Sequence, residues 1–323
     1  MTLLLGLPLV PLADRLRGAY ASQAVALAVA TAALAAAAGG WAGGARGLGP
    51  LLALLALAVL AAALLAEWNG IRHRGPLYGV LLLLLGAVLV GLFAADTLIG
   101  FYVGFELVLV PTAAVVGIWG SGAARLRAAS LFFLYTLAGS LPMLGALALL
   151  WGTEPGPLLT GVALGELEGA LSLHLLAGFG LALAVKTPVV PFHTWLFRAH
   201  AAAPVGGSMV LAGAVLKLSA WGIALVCLGP LASGWGAVLP GVAALAATSL
   251  LYSSLATLRA VDLKAAVALS SVAHMGTSLL GLAVGGAGWT AGVALQLAHG
   301  LVSPALFLLV GGVLYERFGT LLL

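Results

Sequence analysis

The chain has 323 residues, 63% of them hydrophobic and only 7% charged, with a mean hydropathy of +1.22, values that a water-soluble globular domain does not reach. This excludes a soluble enzyme and a nucleic-acid-binding domain, so the formal net charge of +4 bears on membrane sidedness instead. A single cysteine, Cys227, excludes an internal disulfide framework and any cysteine-ligated cluster within the chain.

Apolar runs close to the ~20 residues that cross about 30 Å of hydrocarbon fall at 22–40, 51–66, 77–95, 98–119, 128–151, 170–190, 204–228, 235–257, 265–285 and 289–313. They predict an all-α polytopic transmembrane bundle of ten spans. Residues 1–13 add an eleventh, short apolar piece broken by Pro8 and Pro11. Nothing after it resembles a signal-peptidase site, so a clipped first helix is expected rather than a cleaved leader. The longest connection, 152–169, is rich in Gly and Pro and holds only 18 residues, too few for a soluble domain. The stretch 22–66 is Ala and Leu rich without an internal charge, which fits a lipid-facing or scaffold role, and the chemistry is expected to begin after residue 95.

Numbering the connections alternately sorts the loop cations. One face receives Arg15, Arg17, Arg72, Arg74, Arg125, Arg127, Arg198, Arg259, Lys264 and Arg317, and the other only Arg46. The positive-inside rule then assigns the Arg-rich face to the cytoplasm, in a bacterial inner membrane, with Asp96, Glu154, Glu166 and Glu168 opposite. Two of the thirteen Lys and Arg residues are left over, Lys186 and Lys217, and both lie inside spans.

Glu106 is near the middle of 98–119, with Tyr102 four residues earlier on the same helix face as a hydroxyl partner. An ionisable group at that depth is costly and marks an ion or proton path by default; a structural ion pair holding two helices together is the competing reading. The stretch 170–200 is too long for one span, since 31 helical residues would reach about 46 Å. Pro188 and Pro191 each remove a backbone donor, so the helix is expected to break just after Lys186, with His193 and His200 flanking the break. Such breaks at membrane depth occur against protein or a water-filled cavity and build ion sites in transporters. Lys217, the thirteenth residue of 204–228, cannot easily snorkel to water and is expected to store a proton; Gly213, one turn earlier, leaves room for a water or a close helix. His274 shares its face with Ser270, Ser271, Thr277 and Ser278, and His299 shares its own with Gln296 and Ser303. Each histidine reads either as a packing residue or, together in adjacent helices, as a proton relay.

The sequence holds no Walker-type phosphate loop, no GxGxxG opening a helix after a strand, and no His/Cys cluster at metal spacing. No cofactor and no metal are therefore expected. Energy for transport must come from a gradient or from a partner subunit.

The block AVKTPVVPFHTWL at 184–196, followed by APVGGS at 203–208 and LAGAVLKL at 211–218, closely resembles the antiporter-like membrane subunits of respiratory complex I. Further agreement lies in 96–111 around Glu106, in Asp262-Leu263-Lys264 running to SSVAHMG at 270–276, and in AHG at 298–300 through LYER at 314–317. The last two look most like the M-type branch, called subunit 4 in mitochondria. Relatives in multisubunit Na+(K+)/H+ antiporters and membrane-bound hydrogenases share much of the pattern.

The resemblance covers about 96–317 and implies two inverted five-helix repeats. N-terminal scaffold helices would then occupy 1–95, a first repeat 96–228 and a partial second repeat 229–323. It implies Glu106 and Lys186 as an interacting pair, Lys217 as a central connecting lysine, and His274 and His299 as relay positions. It also implies partner membrane subunits, redox energy from a hydrophilic arm, and quinone handled elsewhere. The protons themselves follow from the residues; Na+ or K+ exchange at Glu106 and a non-conducting scaffold are the alternatives. Two departures are notable. Phe197-Arg198 stands where the family usually has Pro-Asp, and the sequence stops at Leu323 after three helices of the second repeat, before the second broken helix that family members carry.

Overall fold

A computed structural model describes residues 2–11, 21–42, 47–71, 73–95, 97–153, 170–227 and 232–319. Arg15, Arg17, Arg46, Arg72, Asp96, Glu154, Glu166 and Glu168 lie outside them, and with them much of the loop-charge sorting. Every element in the described chain order is helical, as hydrocarbon demands, because a helix satisfies its backbone groups within one segment. The elements are α1 (Thr2–Gly6), α2 (Ala21–Ala42), α3 (Leu48–Ala66), α4 (Gly75–Phe93), α5 (Leu98–Leu107), α6 (Leu109–Trp119), α7 (Arg125–Thr153) and α8 (Ala170–Lys186). They continue as α9 (Thr194–Ala202), α10 (Val205–Gly213), α11 (Leu218–Cys227), α12 (Ala232–Thr257), α13 (Leu263–Val284), α14 (Ala287–Phe307) and α15 (Tyr315–Phe318).

Among the described residues, nine helical stretches are long and apolar enough to cross a membrane. The tenth expected span is shorter because α8 stops at Lys186. Two helix starts are capped as their residue types dictate: the Thr97 hydroxyl accepts from Gly100 N at 3.0 Å and the Asp262 carboxylate from Ala265 N at 2.8 Å.

A kink and two breaks shape the interior. The kink, at Val108 between α5 and α6, follows from Pro111, which has no N–H for the Leu107 carbonyl. The first break is the predicted one between α8 and α9. There Thr187 turns back onto Leu183 O through both its N–H and its hydroxyl, the Val190 N–H donates to Ser249 Oγ of α12 at 2.8 Å, and Trp195 Nε1 of α9 donates to Val185 O of α8 at 3.0 Å. The second break lies inside the span expected at 204–228, where α10 ends at Gly213 and a 3-10 turn, Val215–Lys217, leads into α11.

Without hydrophobic drive between helices in lipid, close approach of small residues holds such a bundle together. A β-carbon on Gly213 would lie 2.6 Å from Pro304 Cγ of α14 and 2.8 Å from Val59 Cγ2 of α3. The room at Gly213 is thus filled by neighbouring helices. α13 and α14 approach through Gly292, whose carbonyl accepts from Ser278 Oγ at 2.8 Å.

The expectation for 22–66 needs dividing. α2 presents most of its surface outward, whereas α3 is packed within the bundle, with Leu52, Leu60 and Ala63 buried. Moreover α3 ends at Glu67, which is 7% exposed, so buried charge begins well before residue 95. The reason is tertiary: the turn into α10 folds over the end of α3, and Glu67 Oε1 accepts from Gly206 N at 2.8 Å.

Candidate functional site

The two intramembrane lysines sit at the two breaks. Lys186 is the last residue of α8 and Lys217 the last of the 3-10 turn, and they are 0% and 1% exposed. At such points the helix no longer consumes every carbonyl, and Lys217 Nζ uses one of those released, donating to Ala212 O at 3.2 Å. Its second partner is His299 Nδ1 of α14 at 2.7 Å. The bond requires the imidazole nitrogen to accept from an ammonium, or one of the two to carry the shared proton.

Lys186 is different. Its Nζ has no hydrogen-bond partner among the described residues; it lies 4.7 Å from the centre of the Phe105 ring and 5.7 Å from that of Phe132. The ring faces stabilise the cation without fixing its protons. Glu106, the residue after Phe105, is half-buried, and its charge acts on Lys186, but its Oε1 is also without a partner and no direct bond joins the two. A carboxylate and an amine are thus held within electrostatic reach and apart. Tyr102 lies within electrostatic reach of Glu106, and the Ser140 hydroxyl of α7 acts on the same carboxylate from a neighbouring helix.

His274 and His299 approach with ring centres 6.0 Å apart and planes inclined by 52°. His299 is buried, and His274 is exposed on the side of α13, in a cleft of about 120 Å³ that it shares with His299, Ser270, Ser271 and Ser303. The serine stripe is less free than its spacing suggests. Ser270 and Ser271 both donate to Val267 O, at 2.8 and 3.0 Å, and Thr277 donates to Ala273 O at 3.0 Å. These back-bonds satisfy the hydroxyls locally. Ser271 Oγ additionally meets Ser303 Oγ at 3.1 Å, joining α13 to α14.

Pro188, Pro191 and His193 form the first break. His193 is buried, with its ring edge-on to Tyr252 at 5.3 Å. His200, at the end of α9, is 0% exposed and stacks on Phe307 with 4.3 Å between ring centres. Arg198, one of the two departures from the family pattern, is exposed beside the Phe197 ring at 5.8 Å.

Glu67 and Lys264 were passed over as ordinary loop charges. Lys264 is 6% exposed, and its Nζ donates to Ala203 O at 2.9 Å. Together they grip the short link between α9 and α10 from either side, and Ser121 N adds a third bond, to Ala202 O at 2.7 Å. A charge adjoining an apolar run normally reaches water, so periodicity gave no signal for either residue.

Among the described residues no group of His, Cys, Asp and Glu is arranged to hold a metal ion. What these groups can do is gain, pass and release protons.

Comparison with known proteins bears on this geometry. Residues 95–322 match the family described as NADH:quinone oxidoreductase/Mrp antiporter, TM. The chain is 41% identical over 278 residues to NADH-ubiquinone oxidoreductase chain 4 of Mycosarcoma maydis, covering 86% of this chain and 57% of that protein. It is 38% identical over 280 residues to the chain 4 of Arabidopsis thaliana, covering 86% and 56%. It thus spans little more than half the length of these relatives. Among solved structures, a chain of respiratory complex I from Thermus thermophilus with bound NADH superposes with a TM-score of 0.82 at 30% identity, over 99% of this chain and 72% of that one. A chain of the archaeal membrane-bound sulfane sulfur reductase shares the fold, with a TM-score of 0.87 at 20% identity over 99% and 71%.

Proposed function

The chain belongs to the NADH:quinone oxidoreductase/Mrp antiporter transmembrane family, and from that membership we propose that it is a proton-translocating, antiporter-like subunit of a complex I type NADH:quinone oxidoreductase. The observation that carries this reading is a pair of fully buried amines at two helix breaks, one bonded to an imidazole and the other within electrostatic reach of a half-buried carboxylate.

In this reading protons move among Glu106, Lys186, Lys217, His299 and His274 through water. When Glu106 approaches Lys186, the carboxylate favours the charged ammonium; when it withdraws, the amine releases its proton to the next carrier. The Lys217 and His299 nitrogens already share a hydrogen bond, so a proton arriving at either is passed across 2.7 Å. Redox energy from partner subunits would drive the carboxylate's displacement. In this reading quinone and NADH chemistry belong to those partners. The loop-cation bias supports an Arg-bearing face in the cytoplasm of a bacterial inner membrane.

The test is proton pumping by the parent complex in proteoliposomes with Lys186→Met in this chain. Loss of pumping with electron transfer largely retained is the expected result. Pumping equal to the parent removes the mechanism, and pumping that depends on Na+ or K+ replaces it with cation exchange.

A further inference from the structure

α14 carries more than His299. Continued through the π-helical segment Leu308–Leu314, its buried side includes His299, Ser303, Phe307 and Gly311, spaced four residues apart. Each of the four meets a polar group from another helix. Lys217 of the second break bonds His299. Ser271 of α13 bonds Ser303. His200 of α9 stacks on Phe307. Lys264 of α13 lies over Gly311, where a β-carbon would be 3.1 Å from its Cε. Steps of four residues rise about 6 Å each, so the series covers about 18 Å along the helix.

Its far end reaches the turns between helices. Lys264 is the second residue of α13, and Glu67 follows the last residue of α3. Near both, the connections holding Arg74, Arg125 and Arg259 come together, tied by the bonds to Ala202, Ala203 and Gly206 and by Trp119 Nε1 to His73 O at 2.8 Å. The groups along the series also share a deficiency. Neither ring nitrogen of His200 has a partner among the described residues, and the same holds for Nε2 of His299 and the hydroxyl of Tyr78, which packs against Gly206 beside Glu67. Buried polar atoms are satisfied in the great majority of structures, by protein or by water. These nitrogens and this hydroxyl are free to take or give a proton.

We propose that this side of α14 is a proton route separate from the Glu106–Lys186 pair, taking up protons at the Glu67–Lys264 site and delivering them through His200, Ser303 and His299 to Lys217. The inference rests on the chain carrying protons at all. Each transfer forms one N–H or O–H bond and breaks another; one proton enters at the carboxylate or amine of the mouth and one is held at Lys217, and no electron moves. Phe307 keeps the route narrow by stacking on His200, and the Glu67 and Lys264 bonds to the α9–α10 link fix the mouth against the same link that carries His200 into the interior.

The competing explanation is that Glu67 and Lys264 only clamp the link. Arginine separates the two, because it keeps a cation and a donor for Ala203 O yet cannot give up its proton. The experiment is proton flux into pyranine-loaded vesicles containing the full chain, driven by a potassium diffusion potential, for the parent, Lys264→Arg, His200→Phe and Lys217→Met, with the melting temperature of each. His200→Phe keeps the ring on Phe307 and loses the carrier. The route requires both to lower flux on the order of 10²-fold, the low end of what a positioned proton carrier contributes, at an unchanged melting temperature. Parent-like flux in Lys264→Arg and His200→Phe, with Lys217→Met blocked, overturns this route and leaves the proposed function standing. Parent-like flux in Lys217→Met removes both. If either route variant melts early, Glu67→Gln decides, since it keeps an acceptor for Gly206 N: lowered flux supports the route and parent-like flux overturns it.

Discussion

Gly213→Ala tests whether the second break is set by helix packing. The new β-carbon would meet Pro304 Cγ at 2.6 Å, where ordinary contact begins at 3.4 Å, so α10 and α14 must separate by about 0.8 Å. Lys217 lies one turn beyond Gly213 and its partner His299 lies on α14. The same separation carries their 2.7 Å bond out to about 3.5 Å, the outer edge of hydrogen bonding. Overpacking of this kind costs about 1–3 kcal/mol, and loss of a hydrogen bond to a charged group adds about 1.5–3 kcal/mol. A barrier raised by about 1.4 kcal/mol slows a step tenfold, so proton flux should fall at least about tenfold. The assay pairs vesicle proton flux with the melting temperature in detergent. Gly145→Ala in α7 is the control, because nothing lies within 4 Å of its β-carbon position and removing a helical glycine should stabilise by about 0.5–1 kcal/mol. A Gly213→Ala protein with parent flux and the stability of the Gly145→Ala control would refute the argument that packing at this glycine positions Lys217.

Three further outcomes follow from the bonds described. Ser249→Ala leaves the Val190 N–H at the first break without its 2.8 Å acceptor; a loss of about 1–3 kcal/mol is expected, read as a lower melting temperature and faster deuterium exchange at Val190. Trp195→Phe removes the 3.0 Å bond to Val185 O and shrinks a fully buried ring packed on Phe132, so it should cost more than the hydrogen bond alone, about 0.5–1.5 kcal/mol, with proton flux retained; abolished flux in a folded variant would count against a purely positional role. Lys186→Met removes a buried amine that has no hydrogen-bond partner. The variant's melting temperature should stay level or rise, since apolar replacement of a buried charge is often neutral or stabilising by about 1–4 kcal/mol; a marked fall would reveal an ion pair that the geometry does not contain.

How far the sequence could be read depended on where the cause of each feature lies. The membrane spans and the break after Lys186 are local consequences of composition and of Pro188 and Pro191, and both were legible. The second break has no proline near it; Pro304 and Val59 come close to Gly213 there, contacts distant in the sequence. Glu106 is recognisable by depth alone, and helical spacing points to Tyr102 beside it, but Ser140, which acts on it from another helix, leaves no local signal. The hydroxyls beside His274 mostly return to carbonyls of their own helix, a competition that counting polar residues on one face does not register. Glu67 and Lys264 escaped notice for the opposite reason, since each adjoins a run where charge is ordinary, and only the fold of the α9–α10 link over them takes them out of water.

That link lies between the two breaks. The hairpin of α9 and α10, residues 194–213, has Lys186 just before its first pivot and Lys217 just after its second, while its bend is pinned by Glu67, Lys264 and Ser121. With its apex anchored and a break at either foot, a tilt about that anchor would displace both amines together.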